Sequence, residues 1–395
     1  MPMTGQEVPE LAAFDTVTQQ VMTHWSLPGA QLAIAREGRL IYNRGFGYAD
    51  LDAGAIVEPD QIFRIASTSK AITAVAILTL VDAGNLTLDT RVFPLLGFEP
   101  VANAPVDPRL SSITVEQLLV HAGGWDSALS WDFQNMPWTS MASAMVGIED
   151  PAEAETIVRF VLGVPLDFDP GTRSVYSNFG FNVLGRVIEH VSGQTYGDYV
   201  QEQVLEPAGV TGMVLGKTRM EERAAGEVRY YDPPGRPPSP SVFPGEGYGP
   251  SAYGGFYLES FDAHGGWVGR AEDLVRFTLA VDGTRGPALL TSETVTAMET
   301  TQRPPSGEAG AGNDPGGFGL GWITSETEAG FEWTHAGALV GSNASWLIRF
   351  GDGMVLAFTT NSLPIDVGSF FNELTSGLRA TIDGITTWPT DDQFE

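Results

Sequence analysis

Apolar residues recur at helical spacing over residues 10–25, "ELAAFDTVTQQVMTHW", and the pattern stops shortly before Pro28 and Gly29. The next stretch, "GAQLAIAREGRLIYNRGFGYAD", reads as two strands joined at Glu37-Gly38, a hairpin. Residues 68–83 are apolar on every face and predict a buried helix. Helical periodicity returns at 114–121, 151–163, 178–192 and 195–206, and again after "HGGWVGRAEDLVRFTLAVDG" begins. The tail then alternates in short, turn-bounded runs, "GFGLGWITSE", "GFEWTHAGALVG", "SNASWLIRFG" and "GMVLAFTTNS", before a last helix near 368–383. Strand text at both ends with helices between predicts an α/β (α+β) protein whose antiparallel sheet is flanked by helices. Residues 1–85 and 265–395 would form the discontinuous sheet domain, and 86–264 an inserted, mostly helical domain.

Two irregular stretches interrupt this pattern. Residues 123–140, "GGWDSALSWDFQNMPWTS", carry three tryptophans, and 230–256, "YYDPPGRPPSPSVFPGEGYGPSAYGGF", are dense in Pro, Gly and Tyr. Loops of this length in a compact domain serve as lids or binding walls, or stay disordered. The Gly-rich run 307–321 lacks the Gly-Lys-Ser/Thr ending of a phosphate loop and leads into strand text, so a flexible loop is expected there.

Charge narrows the partners. With 49 acidic against 21 basic residues the formal net charge is -28, a field that repels nucleic acid and anionic membrane surfaces. No apolar run is long enough to span a bilayer. The opening "MPMTGQEVPE" has no basic segment leading into an apolar one, and a chain whose leader had been removed would read the same, so the compartment stays open. The chain has no cysteine, which excludes disulfides and thiolate metal sites. Oligomeric state is not legible.

The lysines are scarce. Of 21 basic residues only Lys70 and Lys217 are lysine, and Lys70 stands three residues after Ser67 at the head of the buried helix. On a helix, i and i+3 share a face. A serine hydroxyl needs a base to become a nucleophile, and a lysine becomes a base when burial disfavours its charged form. The unpaired N–H groups of the first helical turn depress the lysine further and make the Ser67 N–H an oxyanion donor. Ser-x-x-Lys alone also describes a capping serine beside a solvated lysine.

Two further elements follow in order: Tyr176-Ser177-Asn178 at a loop-to-helix junction, and His335-Ala336-Gly337 on strand text. With these three motifs, and with "LLVHAGGW", "GGWVGRAEDLVRF" and "FGLGW", most of the chain resembles the class C β-lactamase and penicillin-binding superfamily of serine hydrolases. The branches closest to this pattern are the D-alanyl-D-alanine carboxypeptidases, the D-aminopeptidases and the family VIII esterases. The resemblance implies the β-lactamase-like fold, with Ser67 acylated, Lys70 its general base and Tyr176 relaying the proton to the leaving group. Lys70 and Tyr176 would titrate as a pair. It implies that Asn178 binds the acyl side of the substrate, that the small residues around Gly337 let substrate lie along the strand, and that the Ala338 N–H completes the oxyanion hole with Ser67. Read without the motifs, Tyr176 is a buried aromatic and Asn178 a helix N-cap.

His335 departs from the β-lactamase pattern, which has lysine there. A histidine is largely neutral at pH 7 and anchors a substrate carboxylate weakly. This argues against an efficient β-lactamase and points to carboxylic esters or small peptides and amides as substrates. A penicillin-binding sensor, or a weak β-lactamase that acylates with little turnover, is the alternative. Trp125, Trp131, Phe133, Trp138 and Tyr253 are candidates for an aromatic wall by loop position, with core packing an equal reading of each. His121 and His264, each before Gly-Gly, read as structural, and His24 and His190 as helix residues. The five histidines show no metal-ligand spacing, and the chemistry requires no cofactor.

Overall fold

The computed structural model describes residues 1–101, 104–301 and 317–394. In chain order the elements that matter are helix α1 (Ala12–His24), strands β1 (Gly29–Arg36) and β2 (Arg39–Asp50), and helices α2 (Ser69–Asp82), α3 (Asn178–Ser192) and α4 (Ala271–Val281). They are followed by strands β3 (Gly330–Leu339), β4 (Asn343–Arg349) and β5 (Val355–Thr360) and helix α5 (Val367–Gly384). The main sheet is antiparallel, in the order Met3–Thr4, β2, β1, β5, β4, β3, Ile323–Thr327, Gly317–Phe318, with Ala55–Ile56 also paired to β2. Its strands come from both ends of the chain, so the C-terminal β5 lies against the N-terminal β1.

The β1–β2 turn is where the sequence places it. Glu37 and Gly38 take φ of 52° and 74°, the paired positive values that let a two-residue turn follow the strand twist. Alternation along β1 splits the core. Leu32 and Ile34 face α1 and α5 in a cluster with Phe14, Phe358 and Phe370, while Ala33 and Ala35 face the opposite core, shared by α2 and α4. Small alanines on that second face let α4 pack closely on β1 and β5.

Helix α2 is buried nearly all round, as its sequence predicts, and packs against α3 and the short Asp262–Gly265 helix. Helix α3 starts with Ser177, whose hydroxyl accepts the Gly180 N–H at 3.2 Å. The N-cap is therefore Ser177, and Asn178 is left free to point elsewhere. The two irregular stretches are more ordered than their composition suggests: Ser127–Ser130 and Trp138–Val146 are helical, and Ser239–Pro240 pairs with Tyr248–Gly249. In the Gly-rich run, 307–316 lie outside the described residues, and the chain re-enters at the Gly317–Phe318 strand.

Candidate active site

The nucleophile candidate sits on a strained turn. Phe63–Arg64 is a short strand, and Ala66 then takes φ of 46°, in the left-handed region disfavoured for residues with a Cβ. Ser67 follows in a single 3-10 turn (Ala66–Thr68) that runs directly into α2. Three anchors hold the turn. The Arg64 carbonyl accepts Asn343 Nδ2 at 2.6 Å, the Ile65 carbonyl accepts Ser345 Oγ at 2.6 Å, and Thr68 and Ser345 hydroxyls meet at 2.8 Å. Arg64 itself is fully buried, donating to the Ala252 and Lys217 carbonyls and lying over the Tyr230 ring.

Gly337 belongs to this clamp. Beyond any room it leaves for substrate, a Cβ there would meet the Ile65 carbonyl oxygen at 2.2 Å and Ser345 Oγ at 2.3 Å. What needs the space is the backbone that carries Ser67. Gly337→Ala is therefore expected to cost about 1–3 kcal/mol by overpacking and to lower turnover by shifting Ser67. Urea unfolding and ester turnover measure both, and a variant as stable and active as the parent would refute this role.

Lys70 is fully buried. Its Nζ donates to Ser67 Oγ at 3.2 Å, to Asn178 Oδ1 at 2.7 Å and to the His264 carbonyl at 2.8 Å. Burial lowers its pKa to about 7, against a smaller opposing pull from the Asp132 carboxylate. The free base is then accessible at neutral pH.

Tyr176 lies on the other side of the amine, with Lys70 Nζ 4.8 Å from its ring centre. Burial raises the phenol pKa, and its hydrogen bond with Ser67 draws it part of the way back. A phenol raised in this way stays protonated at rest, which suits a proton donor. His121 lies against it: the imidazole is tilted 36° to the Tyr176 ring with centroids 4.7 Å apart, and its Nδ1 accepts the Ser177 N–H at 3.1 Å.

Two contributors were not legible in the sequence. Asp132 accepts Asn178 Nδ2 at 2.6 Å, which turns the Asn178 oxygen toward Lys70. The only sequence signal for it was a carboxylate in a tryptophan-bearing loop. The second is the His264 carbonyl, a backbone group that no side-chain motif announces.

His335 is buried, with Nδ1 2.9 Å from the Ala336 carbonyl oxygen, and burial followed by the nearby Lys70 lowers its pKa to about 3. It is neutral at pH 7, more firmly than its residue type alone implies. Pairing of β3 with Ile323–Thr327 ends at Thr334, so from His335 to Leu339 that edge has no strand partner among the described residues. Ala338 stands on this open edge and, with Ser67, lines a cavity of about 300 Å³.

The aromatic candidates separate. Trp131 is exposed and, with Trp125, lines a small neighbouring cavity of about 40 Å³ beside Tyr176. Trp125 is otherwise a core residue, edge-on to Phe179. Phe133 is buried between Trp138 and Phe179. Tyr253 does not line the cavity at Ser67; its hydroxyl accepts the Tyr230 N–H at 2.8 Å and ties down the loop. Among the described residues no group of three or more His, Asp or Glu could hold a metal ion, and no helix is long and apolar enough to cross a membrane.

The family model described as Beta-lactamase matches residues 14–370. The chain belongs to the β-lactamase family, within the serine-hydrolase superfamily to which its three motifs pointed. It is 29% identical over 375 residues to Esterase EstB of Burkholderia gladioli, covering 89% of this chain and 90% of that one. Protein flp of Staphylococcus aureus is 28% identical over 209 residues, a match that takes in 53% of this chain but only 39% of flp. Among solved structures, the D-amino acid amidase of Ochrobactrum anthropi SV3 superposes with a TM-score of 0.75 at 24% identity, covering 95% of this chain and 99% of that one. The octameric penicillin-binding protein homologue of Pyrococcus abyssi superposes with a TM-score of 0.68 at 23% identity, over 95% of this chain and 78% of its own. The fold is that of the β-lactamase-like proteins.

Proposed function

We propose that this chain hydrolyses carboxylic esters or small amides through an acyl-enzyme on Ser67. The observation that carries the reading is a dry amine, with its pKa lowered to about 7, donating to the Ser67 hydroxyl at 3.2 Å. In the first step Ser67 Oγ bonds to the substrate carbonyl carbon while its proton passes to Lys70 Nζ. The oxyanion is met by the N–H groups of Ser67 and Ala338. Collapse breaks the bond to the leaving group, which takes its proton through Tyr176. Water then bonds to the acyl carbon while its proton passes to the same base; the bond to Ser67 Oγ breaks, the base returns that proton to Ser67, and the acid leaves. No cofactor enters.

Asn178, held by Asp132, faces the acyl side in this reading. The helical segment 86–264 acts as a domain that supplies Tyr176, Asn178 and Asp132 to a cleft whose other wall is β3. The neutral His335 leaves no cation at the position that serves a β-lactamase as carboxylate anchor, which favours esters and amides over β-lactams. The similarity to Esterase EstB over nearly the whole chain supports the ester arm.

Burst kinetics test the reading. A chromogenic ester such as p-nitrophenyl acetate is expected to release product continuously, well past one equivalent per chain. Release that stops at one equivalent would make the protein an acylating sensor instead. Nitrocefin cleaved faster than the esters would overturn the substrate preference.

A further inference from the structure

The cavity at Ser67 is a particular side of the site. Asn178 and Ala338 line it, whereas Tyr176, the donor to the leaving group, does not. On the hydrolase reading, on which this inference rests, it therefore receives the acyl portion of the substrate.

Two charged side chains line that cavity, Asp132 and Arg236. Asp132 is already engaged. Its two oxygens accept Asn178 Nδ2 at 2.6 Å, Asn135 Nδ2 at 3.2 Å and the Gln134 N–H at 3.2 Å. Arg236 is engaged at one end only. Its Nε donates to Ser251 Oγ at 3.0 Å and lies 3.4 Å from Asp232 Oδ1. A turn fixes its backbone, with the Arg236 N–H donating to the Pro233 carbonyl at 3.1 Å. The two terminal nitrogens of the guanidinium make no hydrogen bond to the described residues. A guanidinium pinned through Nε offers a planar pair of donors in fixed orientation, the fork that suits a carboxylate. The Ser239 hydroxyl, 2.7 Å from Ser251 Oγ, adds a polar group on the same wall. Phe256, Phe261 and Leu339 also line the cavity and supply an apolar surface for methylene groups.

We propose that Arg236 anchors a carboxylate at the far end of the acyl chain, so that the preferred substrates are monoesters or monoamides of short dicarboxylic acids. This anchor lies in the Pro-rich loop 230–256 and not on strand β3. It would discriminate among acyl groups rather than restore the lost β-lactam contact at position 335. The overall charge of -28 repels an anion at long range, but the field is screened beyond about 8 Å at physiological salt. The preference is therefore decided inside the cavity. Asp232 takes up part of the Arg236 charge, which keeps the expected effect moderate.

The test compares two esters with one leaving group, p-nitrophenyl hydrogen glutarate and p-nitrophenyl valerate, in 0.15 M salt. Hydrolysis yields p-nitrophenol with glutarate or valerate, so chemistry at the scissile bond is matched. The parent is expected to show a higher kcat/KM for the glutarate ester, and Arg236→Gln to lower the glutarate-to-valerate ratio by roughly tenfold, the scale of one charge-assisted contact. Free glutarate should inhibit the parent competitively and more strongly than valerate, a measurement that needs no variant. Equal ratios in parent and variant, or no advantage of glutarate over valerate as inhibitor, would overturn the anchor while leaving the esterase intact. If the parent turns over neither ester, the hydrolase reading falls and the anchor with it.

Discussion

Ser67→Ala is expected to reduce ester turnover on the order of 10⁶-fold. The covalent step requires an oxygen at this position, and the other side chains that Lys70 touches, Asn178 and Tyr176, do not replace it. Asn178 offers an amide and Tyr176 a phenol whose pKa burial raises, so neither is a competent nucleophile at neutral pH. The fold should survive the change. Lys70 keeps its bonds to Asn178 Oδ1 and the His264 carbonyl, and the anchors of the turn run through Arg64, Ile65 and Thr68 rather than through the Ser67 side chain. Turnover of p-nitrophenyl acetate and intact-mass analysis after treatment with a fluorophosphonate read the two halves of the prediction. A Ser67→Ala chain that still hydrolyses ester at the parent rate, or still gains the label at one equivalent, would remove Ser67 from the chemistry.

The elements that carry Ser67 and Lys70 were legible because their patterns are local. An apolar run such as 68–83 is too long for a typical strand and reads as a buried helix, and a two-residue turn at Glu37-Gly38 needs only its two neighbours to be recognised. Order in the loops was less visible. The helices at Ser127–Ser130 and Trp138–Val146 are short and lie in text rich in Trp, Pro and polar residues, where periodicity has too few turns to register. Asn178 shows the same limit in the site. Its sequence context fits an N-cap, and only the hydroxyl of Ser177 reaching Gly180, with Asp132 drawing on the amide, turns its oxygen to the lysine. The Ile65 carbonyl that needs the space at Gly337 is more than 270 positions away in the chain, so no local pattern announces it. Residues far apart in sequence meet through the sheet that both termini build, and no window of sequence contains both partners.

Lys70→Met should lower kcat/KM by roughly 10²–10⁴-fold, the range for loss of a positioned general base, and should also remove the acid limb of the pH profile. With the amine pKa near 7, the parent is expected to lose about tenfold in kcat/KM for each pH unit below about 6.5, because only the free base can accept the Ser67 proton. The histidines that face the amine do not mimic the limb. His121, His264 and His335 are each held below their ordinary value by burial first and by Lys70 next, so they are already neutral there. Burial raises Tyr176 away from the window; it raises Asp132 as well, and the charge on that carboxylate pulls the amine pKa upward. The same depression has a stability consequence whose sign follows from proton counting. Between about pH 7 and 10.5 the unfolded chain holds the Lys70 proton and the folded chain does not, so folded stability gains up to about 1.4 kcal/mol per pH unit as pH rises through that interval. Below about pH 7 both states hold it, and the folded state bears the full cost of a buried charge. Lys70→Met removes this dependence, so urea unfolding of parent and variant at pH 7, 8.5 and 10 should show the parent gaining relative to the variant at each step. A variant that keeps the acid limb at the same pH, or a stability difference that does not change across those three values, would show that the amine is not held uncharged and that the proton on Ser67 leaves by another route.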